Sequence, residues 1–334
     1  LVLRHCADKY RLHPHIRFGT SVNGARFDEA SGLWHLDTSN GPITARALIT
    51  ATGQLNRPAW PNLPGRDRFA GETFHSARWD HDVDLTGKTV AVIGTGASAI
   101  QFVPEIAKQA KQVLLFQRSA PYVIPKPDRP YSATEQRLMA RFPLLQKLDR
   151  ARVYAQNEAR VLGFTSLQGA MRFHEYLFKK HLRECVPDPD TRAKLTPDYP
   201  MGCKRILISN DYYQALTKYR IPVITGGVRA ITADGVEDID GEHHQADVII
   251  YGTGFQATDF LAPMTITGRR GQDLNQAWRD GAEAYLGITV HGFPNLFMLY
   301  GPNTNLGHNS IIYMIESQIA YVVSALETLE RDGH

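Results

Sequence analysis

The sequence predicts an α/β protein, and three features support this fold class. An apolar, β-branched run at residues 89–93 is followed by a Gly-rich turn and then by apolar residues at helical spacing. Two further apolar runs, at residues 45–50 and 246–251, each end close to a Thr-Gly pair. Between stretches of sheet character, residues 131–200 change to a helical pattern. Together these features predict two Rossmann-like dinucleotide-binding domains with a helical insertion.

Composition bounds the function classes. A chain of 334 residues with 43% hydrophobic and 21% charged residues predicts about two globular domains. A net charge of +3 is too small and too dispersed to indicate binding to nucleic acid or to an anionic membrane. The sequence contains no run of eighteen apolar residues, the length that a membrane-spanning helix needs. The three cysteines form no C-x-x-C, which is typical of a cytoplasmic protein and excludes a redox-active dithiol. Because the chain begins without methionine, we expect a piece of a longer protein.

The first eighty residues predict a helix, a small meander and a connector. Apolar spacing over residues 1–12 indicates a helix that stops at His13-Pro14. Strands are expected at residues 15–21, 25–28 and 33–38, with turns at Asn23-Gly24 and Ser31-Gly32. The buried strand at 45–50 ends before Thr52 and Gly53, where small residues let the backbone pass close to a ligand. Prolines at 58, 61 and 64 then predict a stiff inter-domain connector.

The Gly-rich turn predicts a dinucleotide site. Gly94, Gly96 and Ala99 have the G-x-G-x-x-G/A spacing, which allows a sharp turn, close approach to a pyrophosphate, and packing of helix on strand. We expect Gly94, Thr95, Gly96, Ala97 and Ser98 to line this phosphate site at the helix N-terminus. The alternative is a strand-to-helix turn that binds nothing.

The next strand, at residues 113–116, predicts which dinucleotide binds. In NAD-binding folds an acidic residue at this strand end bonds the ribose 2′-hydroxyl, but here the chain continues Gln117-Arg118-Ser119. A guanidinium attracts a 2′-phosphate that a carboxylate would repel, so Arg118 favours NADPH. Alternatively, Arg118 is a solvated residue at a strand end.

The second half of the chain returns to sheet character. Ser132 and Glu135 predict a capping box at the start of the helical stretch, and Pro143 interrupts it. Further strands are expected at residues 222–225, 230–233, 235–239 and 296–299. The strand at 246–251 ends in Gly252-Thr253-Gly254. A loop at residues 301–310 opens an apolar helix from Ile311, and such a loop can hold an anionic group or simply cap the helix.

The segment before the Gly-rich turn carries a more specific motif. Phe69, Gly71, His75, Trp79 and Asp80 spell F-x-G-x-x-x-H-x-x-x-W-[PD], a pattern that average residue frequencies make very rare by chance. This fingerprint resembles that of the Baeyer–Villiger monooxygenases, flavoenzymes that insert one oxygen atom of O2 beside a ketone. Its residues could equally be packing residues at a domain junction.

The resemblance implies a domain plan with FAD and NADP domains. Residues 1–82 and 245–334 correspond to the FAD domain, the second of these as its return segment. Residues 83–120 and 201–244 correspond to the NADP domain, with the helical insertion at residues 121–200 between them.

The resemblance also implies residue roles. Arg118, Ser119 and Lys204 would hold the NADPH 2′-phosphate, and Arg205 would be the catalytic arginine. In the family, reduced flavin and O2 give a C4a-peroxyflavin anion that attacks the ketone to form an ester or lactone, and a fixed guanidinium stabilises such anions. Other expected cofactor residues are Thr52, Gly53, Thr253, Gly254, Asn303 and Leu306. Arg205 could instead be a structural ion-pair residue.

Competing readings remain. The family's FAD-binding Gly turn and an active-site aspartate would precede Leu1, and we find no second Gly turn. A heteroatom-oxidising flavin monooxygenase and a non-catalytic dinucleotide-binding fragment are therefore the alternatives. Ser98 lacks the final glycine of G-x-S-x-G, so we expect no hydrolase. His75 with His81, and the pair His243-His244, lack metal-ligand spacing and further ligands, so we expect no metal.

Overall fold

The computed structural model describes residues 2–159, 161, 168–307 and 309–333. The chain forms two compact units. One comprises Leu1–Asn56, Gln256–Leu306 and Ser310–His334, and is called the terminal unit below. The other comprises Arg57–Phe255 and Gly307–Asn309, and is called the central unit. Residues 160, 162–167 and 308, which fall in the predicted insertion and C-terminal loop, lie outside the described residues.

The chain contains both strands and helices, with runs of successive strands on either side of a helical stretch between β8 and β9. The strands are β1 (Val22–Asp28), β2 (Leu33–Thr38), β3 (Ile43–Ala45), β4 (Leu48–Thr50), β5 (Glu72–His75), β6 (Thr89–Ile93), β7 (Gln112–Gln117), β8 (Val123–Ile124), β9 (Leu207–Ile208), β10 (Val223–Thr225), β11 (Val228–Ile231), β12 (Gly235–Asp238), β13 (His243–Gln245), β14 (Val248–Tyr251), β15 (Thr265–Thr267) and β16 (Leu296–Met298). The described α-helices are α1 (Val2–Lys9), α2 (Ala99–Ile106), α3 (Ala133–Arg141), α4 (Pro143–Ala159), α5 (Gln168–Cys185), α6 (Pro189–Lys194), α7 (Tyr212–Lys218), α8 (Leu274–Ala277) and α9 (Ile311–Arg331). The predicted α/β class is confirmed.

A five-stranded parallel sheet forms the centre of the central unit, in the order β10-β7-β6-β14-β5. Its inner strands β6 and β14 are almost wholly buried, with Val90, Val92 and Ile250 all 0% exposed. Strands buried on both faces read as continuous apolar runs, which is why these segments were predictable from sequence. Helix α2 covers one face through Ile100, Val103 and Ile106, and completes the β6-turn-α2-β7 arrangement of a dinucleotide-binding unit.

Smaller elements flank this sheet. Strands β11, β12 and β13 form an antiparallel meander, and the two-residue strands β8 and β9 pair in parallel. Helix α3 begins with the predicted capping box, in which the Ser132 hydroxyl and the Glu135 carboxylate each accept a backbone N–H from the other residue. Pro143 starts α4 one residue after the cap of α3, so the predicted interruption is also confirmed.

The terminal unit holds two sheets. Strands β15, β1, β2 and β3 form a four-stranded sheet whose core includes Trp34, which is fully buried and donates from its indole N–H to the Pro294 carbonyl at 2.8 Å. Strands β4 and β16 form a separate parallel pair. Helix α9 follows β16 and packs Val322 against Ile288 and Phe297. No helix in the described ranges is long and apolar enough to cross a membrane.

Three sequence predictions in the terminal unit were wrong. Residues 15–21 contain no strand, because the Pro14 segment closes as a 3-10 turn and β1 begins only at Val22. The predicted turn Asn23-Gly24 lies inside β1, where a register shift occurs and Gly24 packs against the carbonyl of Thr265. The strand predicted at residues 45–50 is two strands, since β3 pairs with β2 whereas β4 pairs with β16.

The two units divide the chain at different points from the predicted domain boundaries. The breaks fall after Asn56 and after Phe255, instead of at residues 82 and 245. The reason is the sheet: β5, which carries the fingerprint histidine, and β14 hydrogen-bond within the same five-stranded sheet as β6. Assignment of each unit to FAD or NADP remains a prediction.

Candidate functional site

The carboxyl ends of five parallel strands meet at one edge of the central unit. Strand order places β6 between β7 on one side and β14 on the other, although β14 is the last of the five strands in sequence. Such a switch in strand order is where open α/β sheets bind ligands. The Gly-rich turn follows β6, Arg118 follows β7, and Gly252 follows β14, so this edge brings together residues that are far apart in sequence.

Gly94 makes the sharp turn that the motif requires. Its φ is +111°, a conformation that strains any residue with a side chain, and a Cβ there would strike the carbonyl of Gly252. Hydrogen bonds fix the turn from both neighbouring strands: the Gly94 N–H donates to the Phe116 carbonyl at 3.0 Å, and the Gly252 N–H donates to the Ile93 carbonyl at 2.8 Å. Backbone-to-backbone contact between two strand ends therefore demands glycine at this point.

Gly96 differs, because a Cβ there would meet nothing within 4 Å. Protein packing therefore does not explain this glycine, whereas close approach of a ligand does. Within the described residues, the backbone N–H groups of Gly96, Ala97 and Ser98 have no hydrogen-bond acceptor. They precede α2, whose N-terminus attracts negative charge. The turn thus offers free donors and open space to an anion such as a pyrophosphate.

Arg118, Ser119 and Lys204 form a polar cluster beside this turn. The Lys204 ammonium donates to the Ser119 hydroxyl at 3.0 Å, and the Thr95 hydroxyl donates to the Ser119 carbonyl at 3.3 Å. Arg118 is exposed and, in the part of the chain that the structure describes, its guanidinium has no ion-pair or hydrogen-bond partner. Lys204 and the segment that carries Arg118, 86 positions earlier in sequence, are therefore brought together at the end of β7, next to the Gly-rich turn.

Arg205 lies directly after Lys204 and before β9. Its side chain is exposed and has no ion-pair or hydrogen-bond partner among the described residues. The alternative of a structural ion-pair residue therefore gains no support from the structure. A solvated guanidinium without a partner retains its full charge and all its donors for another molecule.

The fingerprint residues serve packing and strand geometry. Phe69 packs in a core cluster beside the sheet, and a Cβ at Gly71 would strike both the Asp247 carbonyl and the Phe69 ring. Trp79 packs edge-on against Phe74 and Phe102, with ring centroids 5.1 and 5.4 Å apart. Asp80 is exposed and accepts the backbone N–H of Asp82 at 3.0 Å.

His75 is the one fingerprint residue with an unusual environment. Its side chain is 0% exposed and its Nδ1 accepts the Ala77 N–H at 3.1 Å, which makes Nε2 the protonated nitrogen of the neutral ring. Nε2 is buried without a hydrogen-bond partner among the described residues, although it faces the Gly254 carbonyl. Burial lowers the pKa of His75, and the Gly254 carbonyl opposes this effect. The rings of Trp60 and Phe255 pack edge-on against it.

Thr253 and Gly254 are tied to the connector. The Thr253 hydroxyl donates to the Ala59 carbonyl at 2.6 Å, and the Ala59 N–H donates to the Gly254 carbonyl at 2.9 Å. The residues after β14 also have the G-x-G-x-x-A spacing, Gly252-x-Gly254-x-x-Ala257, contrary to the expectation that the chain holds no second Gly turn. No helix follows it, so it lacks the helix N-terminus that binds a pyrophosphate.

The remaining predicted cofactor residues lie in the terminal unit. Strands β4 and β16 are parallel, and their carboxyl ends lead to Thr52-Gly53 and to the loop holding Asn303 and Leu306. Gln54 donates to the Tyr300 hydroxyl at 2.7 Å, and that hydroxyl donates to the Asn305 side chain at 3.0 Å. Gly53 has a φ of +64° with nothing within 4 Å of a Cβ. The geometry leaves open space at this pair of strand ends.

The structure also bears on the hydrolase and metal sites that the sequence does not favour. Ser98 lies in helical conformation at the start of α2, which fits a helix-turn residue. His243 pairs with Asp234 in the β11–β13 meander. Contrary to the expectation that further ligands are lacking, Asp238 and Glu242 bring their oxygens within 4.8 Å of His244. Asp238 already accepts two backbone N–H groups on Oδ1 and the His244 ring on Oδ2, so this cluster acts as a hairpin brace.

Sequence reasoning missed Gly252 and Tyr199. Gly252 contacts Gly94, and its position directly after a buried strand was the available signal. Tyr199 lies under the Lys204 ammonium, 4.3 Å from the ring centroid to Nζ. Nothing in local periodicity marks it, because its role arises from the fold of the loop between α6 and β9.

Comparison with known proteins places these features in context. Residues 2–159 match a family described as flavin-binding monooxygenase-like. The chain is 50% identical over 330 residues to a Baeyer–Villiger monooxygenase of Pseudomonas aeruginosa, and 42% identical over 327 residues to one of Streptomyces coelicolor. These matches cover 98% of this chain but 63% of each relative. A solved oxidized steroid monooxygenase bound to NADP superposes with a TM-score of 0.86 at 32% identity, covering 99% of this chain and 71% of that structure.

Proposed function

The chain belongs to the Baeyer–Villiger family of flavin-binding monooxygenases, and on this premise we propose that it carries the NADPH site and the catalytic arginine of an enzyme that converts a ketone into an ester or lactone. The proposed co-substrates are O2 and a small-molecule ketone. The observation that carries the proposal is the segment Lys204-Arg205: Lys204 joins the predicted phosphate cluster, and Arg205 presents a guanidinium that has no partner among the described residues.

NADPH fits the central unit. Free N–H groups and the space above Gly96 suit the pyrophosphate, and Arg118, Ser119 and Lys204 suit the 2′-phosphate. Charge-assisted hydrogen bonds from Arg118 and Lys204 to a phosphate are about twice as strong as neutral ones. They would be made to NADPH but not to NADH, and so supply the preference.

FAD finds a partial fit in the terminal unit. Thr52, Gly53, Asn303 and Leu306 line the open strand ends and would hold part of the flavin, but no Gly turn opening a helix accompanies them in the described residues. When bound and reduced, the flavin supplies the activated oxygen. The residues of this chain would then bind, orient and stabilise charge.

Arg205 would provide that charge. A guanidinium stays protonated at any physiological pH, so Arg205 can stabilise a negatively charged oxygen nucleophile and the tetrahedral adduct with the ketone. Nucleophilic attack on a ketone requires a deprotonated oxygen species, and a nearby cation favours deprotonation. Oxidation of nitrogen or sulfur requires the protonated species, which gains less from Arg205.

The proposal is tested with the protein in a large excess of FAD, together with NADPH, 18O-labelled O2 and a panel of ketones, amines and sulfides. We expect at least one ester or lactone that carries one labelled oxygen atom. Arg205→Ala should reduce ester formation by at least about a hundredfold, as loss of an oxyanion donor does elsewhere. Arg205→Lys is the matched control, because it keeps the positive charge and removes only the planar guanidinium. Products confined to N-oxides and sulfoxides would replace this proposal with the heteroatom-oxidising alternative.

A further inference from the structure

Lys204 is held in place before any ligand binds. Its ammonium lies 4.3 Å from the centroid of the Tyr199 ring and donates to the Ser119 hydroxyl at 3.0 Å. A lysine side chain loses rotamer freedom when it is fixed. Since Tyr199 and Ser119 already fix the Lys204 side chain in the free protein, ligand binding does not cost this rotamer entropy again. One of the three ammonium donors is used by Ser119, and two remain for a ligand.

Tyr199 is itself fixed by reciprocal hydrogen bonds. Its hydroxyl donates to the Ala120 carbonyl at 2.9 Å, while the Tyr122 hydroxyl donates to the Tyr199 carbonyl at 2.9 Å. Burial raises the pKa of both phenols, so both remain protonated donors at neutral pH. The two rings also meet edge-on, with centroids 5.6 Å apart. These contacts join the segment after β7, which carries Arg118 and Ser119, to the segment that carries Lys204.

We propose that Tyr199 is a positioning residue that determines specificity for the 2′-phosphate of NADPH: its ring holds the Lys204 ammonium beside Ser119, and its hydroxyl fixes the ring to the Arg118 segment. This inference rests on the proposed NADPH site. Tyr199 does not touch the phosphate in this account; it acts through Lys204. An aromatic face suits the task, because it attracts the cation without neutralising it, whereas a carboxylate in that place would cancel the charge that the phosphate needs.

The decisive experiment changes the ring's charge distribution while keeping its shape. Phenylalanine, difluorophenylalanine and trifluorophenylalanine are incorporated at position 199, and dissociation constants for NADP+ and NAD+ are measured by calorimetry. Fluorine weakens the attraction of the ring face for a cation. We expect the preference for NADP+ over NAD+ to fall about two- to fivefold across the series, while NAD+ affinity stays constant. Constant NAD+ affinity also shows that each variant is folded.

The control is the same series in a Lys204→Met background, where the ring has no cation to hold and fluorination should have no effect. Fluorination could leave the preference for NADP+ over NAD+ unchanged when Lys204 is present, or change it equally in the Lys204→Met background. Either result would overturn the role of Tyr199 without contradicting the proposed NADPH site. If the parent itself shows no preference for NADP+, the proposed cofactor and this inference both fail.

Discussion

At the scale of single residues, the proposed discrimination between NADPH and NADH depends on the charges that follow β7. We expect Arg118→Ala to weaken NADP+ binding by about 1.5 to 3 kcal/mol, or roughly ten- to a hundredfold, because a charge-assisted contact to the 2′-phosphate is lost. NAD+ has no such phosphate, so its affinity should change little. Titration of both dinucleotides with both proteins measures the difference. Equal losses for NADP+ and NAD+ would mean that Arg118 does not contact the 2′-phosphate.

The buried histidine of the fingerprint should leave a signature in stability against pH. Burial lowers the pKa of His75 in the folded protein below the value near 6.5 of an unfolded histidine. The unfolded state therefore takes up the proton first, and the free energy of unfolding should fall as pH drops below about 6.5, until the folded pKa is reached. His75→Gln removes this contribution. Denaturant titrations from pH 7.5 to 5 should show a shallower pH dependence in the variant; His81→Gln, at a residue outside the core, is the control.

At the scale of elements, the two glycines of the turn have separable roles. Gly94→Ala should lower the free energy of unfolding by about 2 kcal/mol or more, because its φ of +111° and the Gly252 carbonyl leave no room for a methyl group. Gly96→Ala should stay within about 0.5 kcal/mol of the parent, since its Cβ would face open space.

Gly96→Ala should weaken NADP+ binding although it leaves stability nearly unchanged. A methyl group at the open face obstructs close approach of the pyrophosphate, so we expect NADP+ affinity to fall at least about tenfold in a protein of normal stability. Thermal unfolding and calorimetry on the same samples distinguish the two roles. Unchanged NADP+ affinity in Gly96→Ala would show that no phosphate lies against this turn.

Some of the strands could be predicted from the sequence and others could not. Strands β6, β7 and β14 were predictable because burial on both faces produces uninterrupted apolar runs. The two-residue strands β8 and β9 were not, since two residues carry no period, and yet β9 fixes the position of the Lys204-Arg205 segment. Gly24 resembled a turn glycine, whereas its reason is the close approach of β15 from a segment 241 residues away. The local sequence pattern indicates burial and turns, but it does not indicate contacts with strands that are distant in sequence.

The candidate site divides in the same way. Gly94, Gly96 and Arg118 could be proposed from the sequence because phosphate recognition constrains residue type at fixed spacing after a strand. Tyr199 was not, because its contact with Lys204 depends on how the loop between α6 and β9 folds onto the segment after β7. Residue roles that depend on two non-adjacent loops have no signature in one sequence without an alignment.

At the scale of the whole molecule, the two units contain unequal shares of the features that the proposed cofactors require. The central unit holds a complete strand-turn-helix, whose turn has N–H donors without an acceptor among the described residues, and the cations that we propose for the 2′-phosphate. The terminal unit holds two parallel strand ends with open space, but its described residues contain no Gly turn that opens a helix. A pyrophosphate carries two negative charges, and its binding in such folds depends on a donor cluster of that kind.

We therefore expect the 334-residue chain to bind NADP+ but to retain little FAD. Purification in the presence of excess FAD, followed by gel filtration, should give a nearly colourless protein that still binds NADP+ in calorimetry. The Gly96→Ala variant is the matched control for the NADP+ signal, because it should fold but lose that binding. A yellow protein with one FAD per chain would contradict the prediction. It would mean that Thr52, Gly53, Asn303 and Leu306 bind the flavin firmly without a glycine turn, and that recognition of its pyrophosphate has a different physical basis from recognition of NADPH.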